Sequence, residues 1–140
     1  MVARDEGSRL RACVVLKGSV ETPWAGRLLA DCIRDAGYPP GVFNYVCGDG
    51  ANIGQQLIQH PDVAGVTFTG SYAVGMAIHR HLLSGAYAKP CIAEMGGKNA
   101  CIVTASADLG RAVAGIVRSA YGMGGQKCSA LSRLYVQNEV

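Results

Sequence analysis

The cysteine at position 128 lies in surroundings that favour nucleophilic chemistry. It belongs to the glycine-rich stretch Gly124–Ala130 and follows Lys127 directly. An open loop and a neighbouring positive charge both favour the thiolate, which is the nucleophilic form of cysteine. A loop cysteine without partners is more often inert than catalytic, so the other candidate groups decide how Cys128 is interpreted.

A carboxylate that could act as a general base is Glu94. It closes an apolar, strand-like segment and is followed at once by Met95-Gly96-Gly97-Lys98. Apolar flanks disfavour the charged form of a carboxyl group, which prepares it to take a proton from water near neutral pH. The alternative is a glutamate at a strand end that pairs with Lys98.

A third segment, Thr67–Gly75, has the order strand, glycine turn, helix N-terminus, which suits a phosphate group. Helix N–H groups attract an anion, Gly70 allows close approach of the backbone, and the Ser71 hydroxyl adds a donor. The spacing is not GxGxxG, so a plain turn with Ser71 as N-cap is the alternative.

Lys17 ends an apolar strand, at the edge where α/β proteins bind ligands. Its side chain either contacts a ribose or phosphate group or is a solvated charge.

Alternating strands and helices must position these groups. Hydrophobic periodicity and turn residues predict strands at 12–17, 42–46, 63–69, 91–94, 100–103 and 133–136, and helices at 22–36, 52–60, 71–84 and 108–120. Thr22 and Asp108 are the predicted N-caps of the first and last helices, and Pro23 occupies the first helical position. This alternation is typical of βαβ units, so we expect an α/β fold whose parallel sheet is covered by helices.

Composition places the chain among ordinary globular proteins. Of its 140 residues 49% are hydrophobic and 16% are charged, and the net charge of +3 is spread along the chain. No run of like charges is available to follow nucleic acid, and no apolar stretch reaches the roughly 18 residues that cross a bilayer. Met1–Arg11 carries charges where a secretory peptide would be apolar. We therefore expect a cytoplasmic protein, or a mitochondrial matrix protein in a eukaryote, with no nucleic-acid or membrane partner.

The six cysteines do not resemble a disulfide framework or a metal site, because they are widely spaced and form no CxxC pair. We expect no metal. Four of them lie in apolar strands or on the apolar stripe of a helix, where a small buried thiol is the expected role: Cys13, Cys32, Cys91 and Cys101. Cys47 lies in a glycine-containing loop and has no assignable role.

Taken together, the motifs resemble those of the aldehyde dehydrogenase superfamily over about Ala12 to Val136. Phe68-Thr69-Gly70-Ser71 is similar to that family's pyrophosphate-contacting turn, Glu94–Lys98 to its glutamate motif, and Gly125-Gln126-Lys127-Cys128 to its nucleophile motif. They occur in the family's order. The resemblance implies a partial Rossmann-like parallel sheet with flanking helices that runs into the start of the catalytic domain. The implied segments are an atypical N-terminal part (1–11), a partial NAD(P)-binding domain (12–90) and the start of the catalytic domain (91–140).

The resemblance also implies roles for individual residues. Cys128 would attack the aldehyde carbon, its backbone N–H would support the oxyanion, and Glu94 would activate the water that hydrolyses the resulting thioester. NAD or NADP would accept the hydride. The implied cofactor contacts are Lys17 and Ser19 at the adenosine ribose, Gly70, Ser71 and Gly75 at the pyrophosphate turn, and Gly96 near the nicotinamide.

Within the superfamily, the segments Phe43–Val46, Ser119–Gly122 and Gly125–Ala130 look most like the glutamate γ-semialdehyde branch, also called 1-pyrroline-5-carboxylate dehydrogenase. That branch oxidises the semialdehyde derived from proline to glutamate. Two other interpretations remain open at this point. One is a CoA-acylating aldehyde dehydrogenase, against which Glu94 argues because that chemistry needs no hydrolytic base. The other is a nucleotide-binding or interaction fragment without turnover.

The chain departs from the family pattern at several places. Where the family usually reads Lys-Pro-Ser-Glu, this chain has Lys17-Gly18-Ser19-Val20, so no carboxylate there repels a 2′-phosphate and NADP is expected to be tolerated. Met1–Arg11 does not look like the family. Family enzymes are several times longer and are usually homo-oligomers, so we expect a fragment that is poorly soluble and inactive in isolation.

Overall fold

The computed structural model describes the backbone of residues 2–4 and 10–140 and the side chains from Cys13 onward. The prediction for the N-terminal segment 1–11 therefore lies partly outside the described residues. The chain divides into two compact units. The first holds the chain up to Phe68 together with Met76–Ala93, and the second holds Thr69–Gly75 and Glu94–Val140.

Strands and helices alternate over most of the described residues, as the sequence predicts. The strands are β1 (Val2–Arg4), β2 (Leu10–Ala12), β3 (Val14–Gly18), β4 (Phe43–Cys47), β5 (Val66–Gly70), β6 (Cys91–Met95), β7 (Asn99–Val103) and β8 (Leu131–Val136). The α-helices are α1 (Pro23–Asp35), α2 (Gln55–Gln59), α3 (Tyr72–Leu83) and α4 (Leu109–Tyr121). A π-helical turn (Gly50–Gly54) leads into α2, and a 3-10 turn (Gly122–Gly125) follows α4.

Each unit contains a parallel strand pair joined through a helix. In the first unit β3 pairs with β4 from Val14↔Phe43 to Gly18↔Cys47, and α1 connects the two strands. In the second unit β7 pairs with β8 and α4 connects them. The α/β prediction with parallel strands is therefore confirmed. The described strands form two-stranded pairs, of which β1–β2 is antiparallel, rather than one continuous sheet.

The helix caps follow local chemistry, with one correction. Asp108 has an extended backbone, and its side chain accepts a hydrogen bond from the Arg111 N–H at 3.1 Å, which confirms the predicted cap of α4. Thr22 stands at the N-cap of α1, but its hydroxyl makes no cap hydrogen bond. The predicted hydroxyl cap is wrong, because a ψ of 51° differs from the extended backbone that directs a cap oxygen toward the helix N–H groups.

The second predicted helix begins differently from the expectation. Asp49, which the sequence assigned to a turn, accepts a hydrogen bond from the Asn52 N–H at 2.6 Å and opens the π-helical turn. Regular α-helical structure is confined to Gln55–Gln59 within the predicted range 52–60. The third strand also starts later than predicted, at Val66, because Val63 lies in the irregular segment that follows a turn at Pro61 and Asp62 and packs into the core.

Burial is modest in both units. Val63, Ile78 and Leu82 form the buried core of the first unit, and Val103 and Ala130 are buried in the second. On α1, Cys32 is exposed, so its predicted burial is wrong. The apolar stripe that carries Cys32 faces outward, with Trp24 at 69% exposure. Cys13, Cys91 and Cys101 are half-buried.

The described residues lack two features that would bear on function. None of the helices there is long and apolar enough to span a bilayer. The same residues contain no cluster of three or more histidine, cysteine, aspartate or glutamate side chains that could hold a metal ion.

Candidate active site

Cys128 follows a tight turn built from left-handed residues. Met123, Gly124 and Gly125 have φ angles of 53°, 64° and 73°, a conformation that favours glycine. A β-carbon at Gly125 would lie 2.9 Å from the carbonyl oxygen of Ala120, so this position also lacks room for a side chain. The turn ends α4 sharply and presents Cys128 as an exposed thiol. The open loop that the sequence predicts is therefore confirmed.

The glutamate motif and the nucleophile motif meet within the second unit. A β-carbon at Gly97, three residues after Glu94, would lie 3.0 Å from the carbonyl oxygen of Cys128. The next contact comes from Asn99, whose side-chain Nδ2 donates to the carbonyls of Cys128 at 2.7 Å and Ala130 at 3.1 Å. Sequence reasoning missed Asn99, although its position directly after the glutamate motif could have drawn attention to it.

Glu94 lies near the end of β6 and is exposed. Among the side chains that the structure describes, it forms no ion pair with Lys98, so the structural alternative of a Glu94–Lys98 pair is not observed. The apolar enclosure expected from its sequence neighbours is also not found. The reason is strand geometry: alternate residues of β6 face opposite sides, and Glu94 shares the exposed side with Ile92.

The Gly70–Ser71 turn has the predicted strand-to-helix geometry. Gly70 ends β5, Tyr72 begins α3, and Ser71 lies between them. The Ser71 hydroxyl oxygen accepts from the Val74 N–H at 3.3 Å, and its carbonyl accepts from the Gly75 N–H at 2.9 Å. Ser71 therefore acts as the helix cap that the alternative interpretation describes. Because the hydroxyl oxygen is the acceptor, the hydroxyl hydrogen can still donate to an anion.

Lys17 and Ser19 belong to the first unit, at the carboxyl end of β3. Lys17 is half-buried, and its ammonium group donates to the Gly18 carbonyl at 2.8 Å. The Ser19 hydroxyl oxygen accepts from the Glu21 N–H at 3.2 Å. Both residues thus stand where a parallel strand pair ends, which is the ligand-binding edge of α/β proteins.

The same strand end is filled by the ring of Tyr45. A β-carbon at Gly18 would lie 2.6 Å from the Tyr45 hydroxyl oxygen, and one at Gly26 would overlap the ring. The Tyr45 hydroxyl donates to the Pro23 carbonyl at 2.7 Å. Partial burial, and secondarily the neighbouring Cys47 thiol, raises the pKa of Tyr45. Gly18 stands where the family pattern usually has proline. The Tyr45 ring occupies the space that a side chain at this position would need.

Gly96 differs from Gly97 in what surrounds it. A β-carbon at Gly96 would meet no atom within 4 Å. This open side is compatible with the approach of a flat ligand. The second unit thus holds Glu94, Gly96 and Cys128 together with the Gly70–Gly75 turn, whereas Lys17 and Ser19 are in the first.

Comparison with known proteins identifies the family. The model of the aldehyde dehydrogenase family matches residues 10–140. The chain belongs to this family. Among curated aldehyde dehydrogenases, it is 42% identical over 131 residues to 1-pyrroline-5-carboxylate dehydrogenase of Geobacillus thermodenitrificans. It is 44% identical over 128 residues to 2-hydroxymuconic semialdehyde dehydrogenase of a Pseudomonas species. These matches cover 91% of the chain and 25% and 26% of the two relatives, so it spans about a quarter of their length.

Solved structures agree with this assignment. The structure of 1-pyrroline-5-carboxylate dehydrogenase from Thermus with bound NAD is similar at a TM-score of 0.86 and 37% identity, over 91% of this aldehyde dehydrogenase chain and 25% of that one. Proline utilization A of Bdellovibrio bacteriovorus, inactivated by N-propargylglycine, is similar at a TM-score of 0.88 and 41% identity, over 91% and 14%. The fold and family predicted from the motifs are confirmed.

Proposed function

We propose that this chain carries the nucleophile and part of the cofactor site of an NAD(P)-dependent aldehyde dehydrogenase. The observation that carries the proposal is the exposed Cys128, held on a left-handed glycine turn against the segment that follows Glu94. Residues 12–90 belong in this proposal to the cofactor-binding domain, and residues 91–140 begin the catalytic domain.

The chemistry proceeds through a covalent intermediate on Cys128. Its thiolate adds to the aldehyde carbon, and the Cys128 N–H donates to the oxygen that becomes negative. When bound, the nicotinamide supplies the hydride acceptor, and a thioester remains on the sulfur. Glu94 then takes a proton from water, which attacks the thioester carbonyl and releases the carboxylic acid. The exposure of Glu94 supports this role, because its carboxylate is accessible to water.

The proposed cofactor contacts lie at three places: the start of α3, the carboxyl end of β3, and Gly96. Gly70 and Ser71 precede α3 and Gly75 lies near its start, where N–H groups and the Ser71 hydroxyl suit a pyrophosphate. Lys17 and Ser19 take the adenosine ribose, and the open side of Gly96 admits the nicotinamide ring. The NAD in the similar Thermus enzyme supports NAD as a cofactor, and NADP is tolerated because position 20 is valine.

The proposed substrate is L-glutamate γ-semialdehyde, which is oxidised to glutamate. Several relatives at 41–44% identity are 1-pyrroline-5-carboxylate dehydrogenases, which supports this choice. The equally similar 2-hydroxymuconic semialdehyde dehydrogenase makes that semialdehyde the comparison substrate. We also propose that the active assembly is a homo-oligomer, as is usual in the family.

The test combines cofactor binding with NAD(P)H formation. The 140-residue chain is titrated with NAD and NADP and assayed with both semialdehydes, with Cys128→Ala as the inactive variant. Cys32→Ala, which removes another exposed thiol, is the matched control. Activity that is lost only in Cys128→Ala supports the proposal. NAD(P)H formed equally by Cys128→Ala, or a folded chain that binds neither cofactor, contradicts it.

A Glu94→Gln variant separates hydrolysis from the other steps. If Glu94 activates water, this variant makes one equivalent of NAD(P)H quickly and then stalls at the thioester. If the acyl group is instead transferred to coenzyme A, turnover of Glu94→Gln equals that of the parent chain when coenzyme A is supplied.

A further inference from the structure

Asn99 joins two carbonyls of the nucleophile loop, which we define as Gln126–Ala130. Its Nδ2 donates to the Cys128 carbonyl at 2.7 Å and to the Ala130 carbonyl at 3.1 Å. A side-chain amide nitrogen carries two N–H groups, so one residue satisfies both acceptors. The hydrogen bonds cross 29 and 31 positions of sequence and therefore tie the loop to the start of β7.

The main-chain pairing at this point is irregular. Asn99 lies opposite Leu131, whereas Ala100 lies opposite Arg133, so the ladder between β7 and β8 shifts there by one residue. A bulge disrupts the ladder locally and leaves an extra residue unpaired. Inside the loop, the Ala130 N–H donates to the Lys127 carbonyl at 3.1 Å. The Asn99 amide thus supplies the attachment between loop and strand where regular backbone pairing is interrupted.

We propose that Asn99 is a positioning residue for Cys128. The peptide group that contains the Cys128 carbonyl is planar, so holding its oxygen also restricts the orientation of the Cys128 Cα. The sulfur and the backbone N–H of Cys128 extend from that Cα. Asn99 therefore holds the nucleophile and the oxyanion donor so that they act on the same carbonyl group. This inference rests on the proposed function, in which Cys128 is the nucleophile.

Two reactions of the Cys128 thiolate distinguish positioning from simple exposure. With p-nitrophenyl acetate, sulfur adds to the ester carbonyl, the oxygen becomes negative, and p-nitrophenolate leaves an S-acetyl group behind. With iodoacetamide, sulfur displaces iodide directly and no oxyanion forms. Both reactions proceed without a nicotinamide cofactor. Their rates on Cys128, followed by phenolate absorbance and by mass spectrometry, give an acylation-to-alkylation ratio that depends on how the N–H is aimed.

Removing the amide should lower this ratio. In Asn99→Ala we expect the acylation rate to fall about tenfold, which is less than the roughly 10²–10³-fold loss on removal of an oxyanion donor because the Cys128 N–H remains but is misoriented. The alkylation rate should change by less than about twofold. Asn99→Ser keeps one donor on the same side chain and should recover part of the loss. Circular dichroism verifies that the variants have the parent secondary structure, and the serine variant provides the measurement if the alanine variant does not fold.

Asn44 provides a matched control in the other unit. Its Nδ2 also donates to two carbonyls, those of Gly41 at 2.9 Å and Val14 at 3.3 Å, but it lies in the first unit. Asn44→Ala should leave the ratio unchanged. An unchanged ratio in Asn99→Ala, or a parent chain whose Cys128 is alkylated but not acylated, overturns the role of Asn99. A folded parent chain that shows the Asn99 effect but binds neither NAD nor NADP instead contradicts the proposed function.

Discussion

Gly97 lies against Cys128, since a β-carbon built on the glycine would stand 3.0 Å from the cysteine carbonyl oxygen. It would also lie 3.2 Å from both terminal atoms of the Asn99 amide. Gly97→Ala should therefore displace the nucleophile loop and destabilise the fold by about 1 kcal/mol. The measurement is chemical denaturation together with the rate of Cys128 acylation.

Gly115→Ala in α4 is the control for this glycine replacement. A β-carbon there meets no atom within 4 Å, so alanine should stabilise the helix by about 0.5–1 kcal/mol. Equal changes in the free energy of unfolding for the two replacements would show that the contact between Gly97 and the Cys128 carbonyl does not limit stability.

The two helix caps should respond differently to alanine. Asp108→Ala removes the hydrogen bond to the Arg111 N–H and should lower the free energy of unfolding by about 1 kcal/mol. Thr22→Ala removes a hydroxyl that makes no cap hydrogen bond and should change it much less. Thermal denaturation of both variants tests this difference, and a larger loss for Thr22→Ala would contradict the cap assignment.

Replacement of Gly18 should be coupled to Tyr45. A β-carbon at Gly18 forces the Tyr45 ring away and breaks its 2.7 Å hydrogen bond to the Pro23 carbonyl. Gly18→Ala should therefore lower the thermal midpoint of the parent chain. In a Tyr45→Val background, where the ring is absent, the same change should have little effect. Additive losses in a double-mutant cycle would show that the two positions are independent.

Acid should remove the contribution of Asp31 to α1. Its carboxylate accepts from Arg27 at 2.9 Å and from Arg34 at 2.7 Å. The hydrogen bond from Arg27 is the main cause that lowers the pKa of Asp31 below 3.8. A lowered folded-state pKa means that the stabilisation is complete above 3.8 and disappears as the pH falls through the lowered value.

The matching variant is Asp31→Asn, measured by denaturation across this pH range and with added salt. Its destabilisation relative to the parent should be largest near neutral pH, should shrink in salt, and should vanish in strong acid. A difference that stays constant with pH would exclude the ion pairs as its cause.

Valine at position 20 should permit binding of a 2′-phosphate. Val20→Glu places a negative charge at the end of the segment that carries Lys17 and Ser19. Repulsion of about 1–2 kcal/mol should weaken NADP binding roughly tenfold, with a much smaller effect on NAD. Titration of both cofactors tests this expectation, and Val20→Gln controls for size. Strong exclusion of NADP by the parent chain would contradict the premise.

Much of this protein could be predicted from local sequence. The boundaries of α1 and α4, the Asp108 cap and the turn between β5 and α3 depend on hydrophobic period, proline, glycine and capping groups within a few residues. The order of the motifs around Ser71, Glu94 and Cys128 also indicated the aldehyde dehydrogenase family, which the match to residues 10–140 confirms.

Other features required the tertiary structure, because they join residues that are distant in sequence. The hydrogen bond from Asn99 to Cys128 spans 29 positions, and the packing of Tyr45 over Gly18 and Gly26 depends on how β3, α1 and β4 meet. The exposure of Cys32 likewise could not be read from its apolar stripe, since a helical period shows which residues share a face but not what covers that face. Sequence alone thus determined most of the elements and the family, whereas tertiary packing decided which distant residues contact the Cys128 loop.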